Sequence, residues 1–173
     1  MEILIDTRQK KDKHDNVDVY FLSHKIEVVS KPLNVGDYML SEDAKVTVDS
    51  KSSLYELCCD LFSRNEKARF QRECKRAKKL GITLYILIEQ NFNKEKLLKW
   101  KSQRKSDGTL ITKATGKSIY GKMQIYSLMF GVKWRFCRKK DTGKTILKLL
   151  GAEKDDWFWK KYKFSLFCIQ QVV

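Results

Sequence analysis

The chain has 173 residues, 42% of them hydrophobic and 12% aromatic, and carries 36 Lys and Arg against 21 Asp and Glu for a formal charge of +15. That length and apolar content suit one folded domain and exclude a chain disordered by composition. The excess charge is unevenly placed: residues 1–90 hold 16 basic and 15 acidic residues (+1), and residues 91–173 hold 20 and 6 (+14), which points to a polyanionic partner, nucleic acid first.

Ile3-Leu4-Ile5 ahead of Asp6 reads as a short buried strand, and residues 7–18 as a polar loop or hairpin tip. Val19 to Leu22 and Ile26 to Val29 read as two strands joined by a turn. Pro32 to Gly36 marks a turn, and Tyr38 to Leu40 with Val46 to Val48 reads as a hairpin. From Ser52 the period changes: Leu54, Leu57, Leu61, Phe62, Ala68, Phe70, Ala77 and Leu80 recur at broadly helical spacing until Gly81. Ser52 or Ser53 could cap its start, with Glu56 three residues after Ser53 completing a capping-box pattern. A buried strand follows at Ile82 to Glu89, then a short helix at Lys94 to Trp100 and a polar loop over residues 101–116. Lys117 to Phe130 reads as a helix stopped by Gly131, Val132 to Cys137 as a strand, and Thr142 to Leu150 as a helix stopped by Gly151. This order implies an α/β architecture, a mixed central sheet flanked by helices on both faces. Residues 1–150 form the domain, and the basic aromatic tail 151–173, with Trp157, Trp159 and Tyr162, is expected to pack on it.

The longest apolar run, Ile82 to Ile88, is interrupted by Thr83 and is far below the ~20 residues that a bilayer span needs, so no membrane partner is expected. The opening MEILIDTR lacks the apolar core of a signal peptide. Five cysteines, odd in number and without a CxxC pair, fit reduced thiols in an intracellular setting, cytoplasmic or nuclear. Gly143-Lys144-Thr145 ends like a phosphate-binding loop, but Arg138 stands where the first glycine of that motif belongs.

What remains is a set of carboxylates and a lysine. Asp37 opens one strand of the expected hairpin, and Asp49 and Lys51 end the next. Residues i and i+2 of a strand share a face, so Asp49 and Lys51 project together, and pairing of the strands brings Asp37 beside them. Two carboxylates at one place repel each other unless a cation lies between them, and hard oxygen ligands suit Mg²⁺ or Mn²⁺. A lysine there can stabilise charge developing on a phosphate. These are the parts for metal-assisted phosphodiester hydrolysis, although carboxylates also serve as turn residues at strand ends.

The surrounding segments make the pattern specific. Ile5-Asp6-Thr7-Arg8-Gln9, Val35-Gly36-Asp37-Tyr38 and Asp49-Ser50-Lys51 occur in that order. Arg69-Phe70-Gln71-Arg72-Glu73-Cys74 and Tyr85-Ile86-Leu87-Ile88-Glu89 follow. Together they resemble the nuclease domain of the XPF-like structure-specific endonucleases, in the PD-(D/E)XK superfamily, over roughly residues 2–150. The resemblance implies a restriction-endonuclease-like sheet and a Mg²⁺-dependent (or Mn²⁺-dependent) DNA endonuclease selective for branched or flapped DNA. It implies Asp37, Asp49 and Asp6 at the metal, Lys51 as the catalytic lysine, and Arg8 and Arg69 as phosphate contacts. It further implies pairing as a homodimer, or with a partner that supplies a helix-hairpin-helix module, because about two dozen residues after Leu150 cannot hold one. A stand-alone domain of this kind resembles a phage or mobile-element nuclease.

Four positions depart from the family pattern. Gln9 stands for Glu, Asp49 for Glu and Ser50 for Arg, and Tyr55 stands four residues after Lys51 where the family has Asp, with Glu56 or Asp60 as substitutes. These departures leave a second reading, a decayed nuclease fold that only binds DNA. The charge alone would also fit a basic protein that docks on an acidic partner. For holding nucleic acid, Lys101, Arg104, Lys105, Lys113 and Lys117 are the candidates, in and beside the loop. Glu73 reads as a solvated helix residue.

Overall fold

A computed structural model describes residues 2–8 and 15–152. Gln9, His14 and the aromatic tail from residue 153 onward lie outside the described residues, and with them the expectation that the tail packs on the domain. Among the described residues the sheet has six strands: β1 (Glu2–Asp6), β2 (Glu27–Lys31), β3 (Tyr38–Met39), β4 (Val46–Lys51), β5 (Thr83–Ile88) and β6 (Lys133–Phe136). Their order across the sheet is β2-β1-β3-β4-β5-β6. β3 runs antiparallel to both its neighbours, and the other pairs are parallel. The expected mixed sheet is therefore present, and β3–β4 is the expected hairpin, with Tyr38 opposite Val48.

Among the described residues six α-helices cover it: α1 (Asp15–Ser23), α2 (Leu54–Phe62), α3 (Arg64–Lys79), α4 (Lys94–Lys99), α5 (Gly116–Phe130) and α6 (Thr142–Leu149). β5 shows how two layers share one strand. Leu84, Ile86 and Ile88 enter the core beneath α2, α3 and α5, while Leu87 enters the core beneath α1 and α6. A period of two sorts the side chains to opposite faces.

Two segments differ from the sequence reading. Val19 to Leu22 belongs to α1, not to a strand. Val17 and Phe21, four residues apart, are buried in the core, while Val19 and Leu22 are 66% and 81% exposed. Asp15 and Asp18 favour a helix start by facing the positive end of its dipole. β1 and β2 are consequently parallel strands joined by a crossover helix rather than members of a meander.

The long helix from Ser52 is two helices, broken at Ser63, whose extended backbone (φ −70°, ψ 137°) ends α2 and starts α3. Between Leu61 and Phe70 no side chain is both apolar and buried, so nothing holds one continuous helix against the core there. The break re-aims α3 so that Phe70, Cys74 and Ala77 reach the sheet. Ser53 does cap α2, accepting from the Glu56 N–H at 3.2 Å, but Glu56 reaches back to the N–H and hydroxyl of Ser52, one residue earlier than a capping box requires.

α4 and α5 approach closely at Gly116, where a Cβ would lie 1.7 Å from the Leu97 carbonyl oxygen. Gly121, one and a half turns on, faces open space. Gly116→Ala is expected to lower the melting temperature by about 2–12 °C, as about 1–3 kcal/mol of overpacking does in a chain of this size. Gly121→Ala is expected to raise it, since alanine is about 1 kcal/mol the better helix former. Scanning calorimetry checks both, and a Gly116→Ala variant that melts at or above wild type contradicts the packing.

Candidate active site

The site is built at the β3–β4 hairpin. Gly36 precedes β3 with φ +71°, a left-handed conformation that glycine adopts without strain. A Cβ there would also fall 2.2 Å from Thr47 Oγ1. The Thr47 hydroxyl lies within hydrogen-bond reach of the Val35 and Tyr38 carbonyl oxygens, and the Asp37 N–H donates to the Val48 carbonyl at 2.8 Å. The turn is thus pinned to β4, and Asp37 is fixed beside the strand that carries Asp49 and Lys51.

Asp37, Asp49 and Lys51 come together as expected. Lys51 is 4% exposed, and its ammonium lies 2.9 Å from Asp49 Oδ2 and 2.9 Å from Asp60 Oδ2, and 5.7 Å above the Phe70 ring. Burial works against its charge, but Asp49, Asp60 and Asp37 together outweigh burial and hold the lysine protonated well above its ordinary range. Asp37 Oδ2 accepts from the N–H and hydroxyl of Ser50 at 2.9 and 3.1 Å. Loss of water, then the charge of Asp49, pushes the Asp37 carboxyl up to about 7, against the smaller opposing pull of Lys51 and Ser50.

Two of the departures acquire other roles here. Ser50, in place of Arg, orients Asp37. Tyr55, in place of Asp, accepts from the Gln103 N–H at 2.8 Å and packs edge-on against Trp100, tying α2 to the loop over residues 101–115. Of the two substitutes for the displaced acid, Asp60 reaches Lys51, whereas Glu56 serves the start of α2.

Asp6 lies next to Asp37 through the backbone, its N–H donating to the Asp37 carbonyl at 2.9 Å. Its carboxylate faces Arg8, whose Nε lies 3.0 Å from both oxygens, and the Arg8 guanidinium also donates to the Leu33 carbonyl. Arg8, 64% exposed along its side chain, is held more firmly protonated by that bond to Asp6. Arg69, 56% exposed, bridges Glu66 at 2.9 Å and Asp60 at 3.3 Å, so it sits one carboxylate away from Lys51. Lys101, Arg104, Lys105, Lys113 and Lys117 are all exposed, on the loop and the first turn of α5, outside the carboxylate cluster.

Glu73 is not the solvated residue that the sequence suggests. Its carboxylate accepts from the Gly36 N–H at 2.9 Å, and burial followed by the charge of Asp49 pushes it above the ordinary carboxylate range. Its place beside Phe70 and Cys74 on a helix with a buried stripe was the available signal. Glu89 is likewise buried, with its N–H on the Lys51 carbonyl at 2.9 Å.

Among the described residues no three carboxylate, imidazole or thiol groups form a ready-made metal cluster. The donor chemistry nevertheless fits a divalent cation. Asp37 and Asp49 offer hard oxygens, and Asp49 raises both Asp37 and Glu73 by repulsion that a cation between them would relieve.

Among the described residues no helix is long and apolar enough to cross a membrane. A comparison with the curated proteins finds no match. Among solved structures, XPF from Aeropyrum pernix is similar over 99% of this chain and 70% of its own, at 18% identity and a TM-score of 0.61. XPF from Aeropyrum pernix in complex with DNA is similar over 98% and 73%, at 18% identity and 0.59. At that identity the likeness establishes a shared fold. A family model for the ERCC4 domain matches residues 5–149, the stretch that holds every strand end of the site, and the chain therefore belongs to the ERCC4 domain family, as an XPF-like nuclease domain.

Proposed function

We propose that the chain is a divalent-cation-dependent endonuclease that hydrolyses phosphodiester bonds in DNA and selects branched or flapped structures. The observation that carries this reading is the convergence of Asp37 and Asp49 with a protonated Lys51 at the strand ends of a nuclease-family fold. Asp37 and Asp49, with Asp6 as a further acid beside them, would hold Mg²⁺ or Mn²⁺. Bound there, the cation acts as a Lewis acid on the scissile phosphate. Lys51 offers its ammonium to the charge that develops on the phosphate oxygens, and Asp49 and Asp60 fix where that ammonium points. Asp6 orients Arg8 toward a neighbouring phosphate, and Arg69 and the loop cations Lys101, Arg104, Lys105, Lys113 and Lys117 track the backbone. Contacts of this kind carry no sequence information, which favours recognition of DNA shape. A structural relative solved in complex with DNA supports DNA as the polyanion. Pairing with a second copy, or with a protein bearing a helix-hairpin-helix module, would add a second grip on a branch.

Wild type should cut flap, fork or four-way-junction DNA with Mg²⁺ or Mn²⁺ and not with EDTA. Asp49→Asn and Lys51→Ala should each lower cleavage by about 100- to 1,000-fold with binding retained. Gel assays on labelled substrates read this. Metal-independent cutting, or full activity in both variants, overturns the reading. Salt-sensitive binding without cutting on any substrate supports the decayed binding module instead.

Asp60→Asn should lower kcat by about 10–100-fold by releasing Lys51 from its position. Glu56→Gln should leave kcat near wild type. Equal losses, measured on variants that melt like wild type, would contradict the assignment of Asp60.

Between about pH 4 and about 7 the folded chain keeps a proton on Asp37 that the unfolded chain has released. Stability of the cation-free protein should therefore fall as pH rises through that window. Glu73 and Asp60, both shifted upward, act in the same direction. Asp37→Asn should flatten the slope and raise the melting temperature at pH 8, and Mg²⁺ should stabilise wild type at pH 8 more than the variant. Melting curves in EDTA from pH 4 to 8 check this, and an unchanged slope in Asp37→Asn would count against it.

A further inference from the structure

The outward face of α2 borders a groove that the carboxylate site does not use. Tyr55, Cys59 and Phe62 form its helical wall, and Ile111 and Lys113 of the returning loop limb form the other. Its volume of about 590 Å³ falls within the roughly 300–1,000 Å³ range of small-ligand clefts. Phe62 and Ile111 are 37% and 44% exposed, so apolar surface stands open to water there. Lys113 lines the groove and no carboxylate does. The loop that forms the rim adds Lys101, Arg104 and Lys105 against a single acid, Asp107. α5 begins at the same place, with Ser118 of its first turn in the lining, so the positive end of that helix dipole adds to the field.

The two walls are tied together rather than merely adjacent. Tyr55 Oη accepts from the Gln103 N–H, the Thr112 N–H donates to Ser102 Oγ at 3.0 Å, and Lys101 pairs with Thr115 across the base of the loop. The groove also lies close to the site. Asp60, which touches Lys51, belongs to the same nine-residue helix as Tyr55, Cys59 and Phe62 but to another face of it. A strand engaged at Lys51 is therefore about one helix diameter, roughly 10–12 Å, from the groove.

Aromatic and aliphatic walls free of carboxylates, with a predominantly cationic rim, match one chemical class: an unstacked nucleobase carrying its phosphate. Stacking on aromatic rings works for any base, and the rim holds the backbone. A paired duplex keeps its bases inside and has nothing to insert. We propose that the groove between α2 and the 111–114 limb binds an unpaired nucleotide of a single-stranded DNA arm, and so distinguishes branched from plain duplex DNA. This rests on the endonuclease reading and names the part of the substrate that lies beside the cut.

Cys59 supplies the test, because it is exposed in the groove while Cys74, buried and outside the lining, is the reference. The full chain in EDTA is alkylated with N-ethylmaleimide alone, with oligo-dT, with a duplex of equal length and with a fork, each at a concentration where anisotropy shows it bound. Site-resolved mass spectrometry gives the rate at Cys59. Oligo-dT and the fork should slow it at least about fivefold and the duplex less than twofold. Phe62→Ala should weaken oligo-dT binding by about 5- to 100-fold, the worth of one stacked base, and duplex binding less than twofold; Phe62→Tyr should retain wild-type affinity. Equal reactivity of Cys59 with bound single strand and bound duplex overturns the groove and leaves the endonuclease reading intact. Absence of binding to any DNA overturns both. Slowing of Cys59 with rising protein concentration and no DNA would give the groove to a second copy and also overturn the proposal.

Discussion

A lysine that is 4% exposed at the end of a central strand requires anions within reach of its ammonium, because an unpaired buried charge costs several kcal/mol. Lys51 has two, Asp49 from its own strand and Asp60 from the helix that follows. Much of the architecture follows from meeting that demand. α2 must start immediately after β4 and lie across its end to deliver Asp60. α3 must turn away at Ser63 for Phe70 to lie beneath the ammonium and for Arg69 to close on Asp60 from outside.

The same cluster explains the opposing charges. Burial first, and then the charge of Asp49, pushes both Asp37 and Glu73 upward, and Lys51 offsets only part of this, which leaves the Asp37 carboxyl titrating at about 7. The protein holds this arrangement through backbone anchoring. Gly36 allows the turn, Thr47 fills the space beneath it, and Glu73 takes the Gly36 N–H. A buried anionic pocket beside a fixed cation is costly for stability and suited to binding a hard cation and a phosphate. The conflict with stability is the expected mark of a functional site.

The charge asymmetry along the chain has a structural counterpart. The nearly neutral half builds β1 to β5 and the carboxylate site, and the basic half supplies the loop over residues 101–115 and the helices that follow it. Tyr55 joins them, since it stands on the site helix and holds the loop by Gln103. In the proposed endonuclease, substrate grip and chemistry would thus be carried by different segments linked through one helix.

Much of this was legible in the sequence. Alternation and turn residues located β1, the β3–β4 hairpin, β5, β6, α4, α5 and α6, because each has a period or a terminating glycine that depends on neighbours in the chain. Spacing by two put Asp49 and Lys51 on one face, which is a property of any strand. What tertiary structure decided were the matters that depend on distant partners. Val19 to Leu22 is a short continuous run of apolar and aromatic residues that reads as a strand, yet Val17 and Phe21 find a core beneath α6 and fold it as a helix. The acid displaced from the usual place after Lys51 could not be chosen from sequence, since Glu56 and Asp60 are both carboxylates on one helix; only the direction of α2 against β4 selects Asp60. Glu73 looked solvated because its partner, the Gly36 N–H, is 37 residues away. Local periodicity determines most of the elements, and packing against distant partners determines the remaining ones and which charges meet.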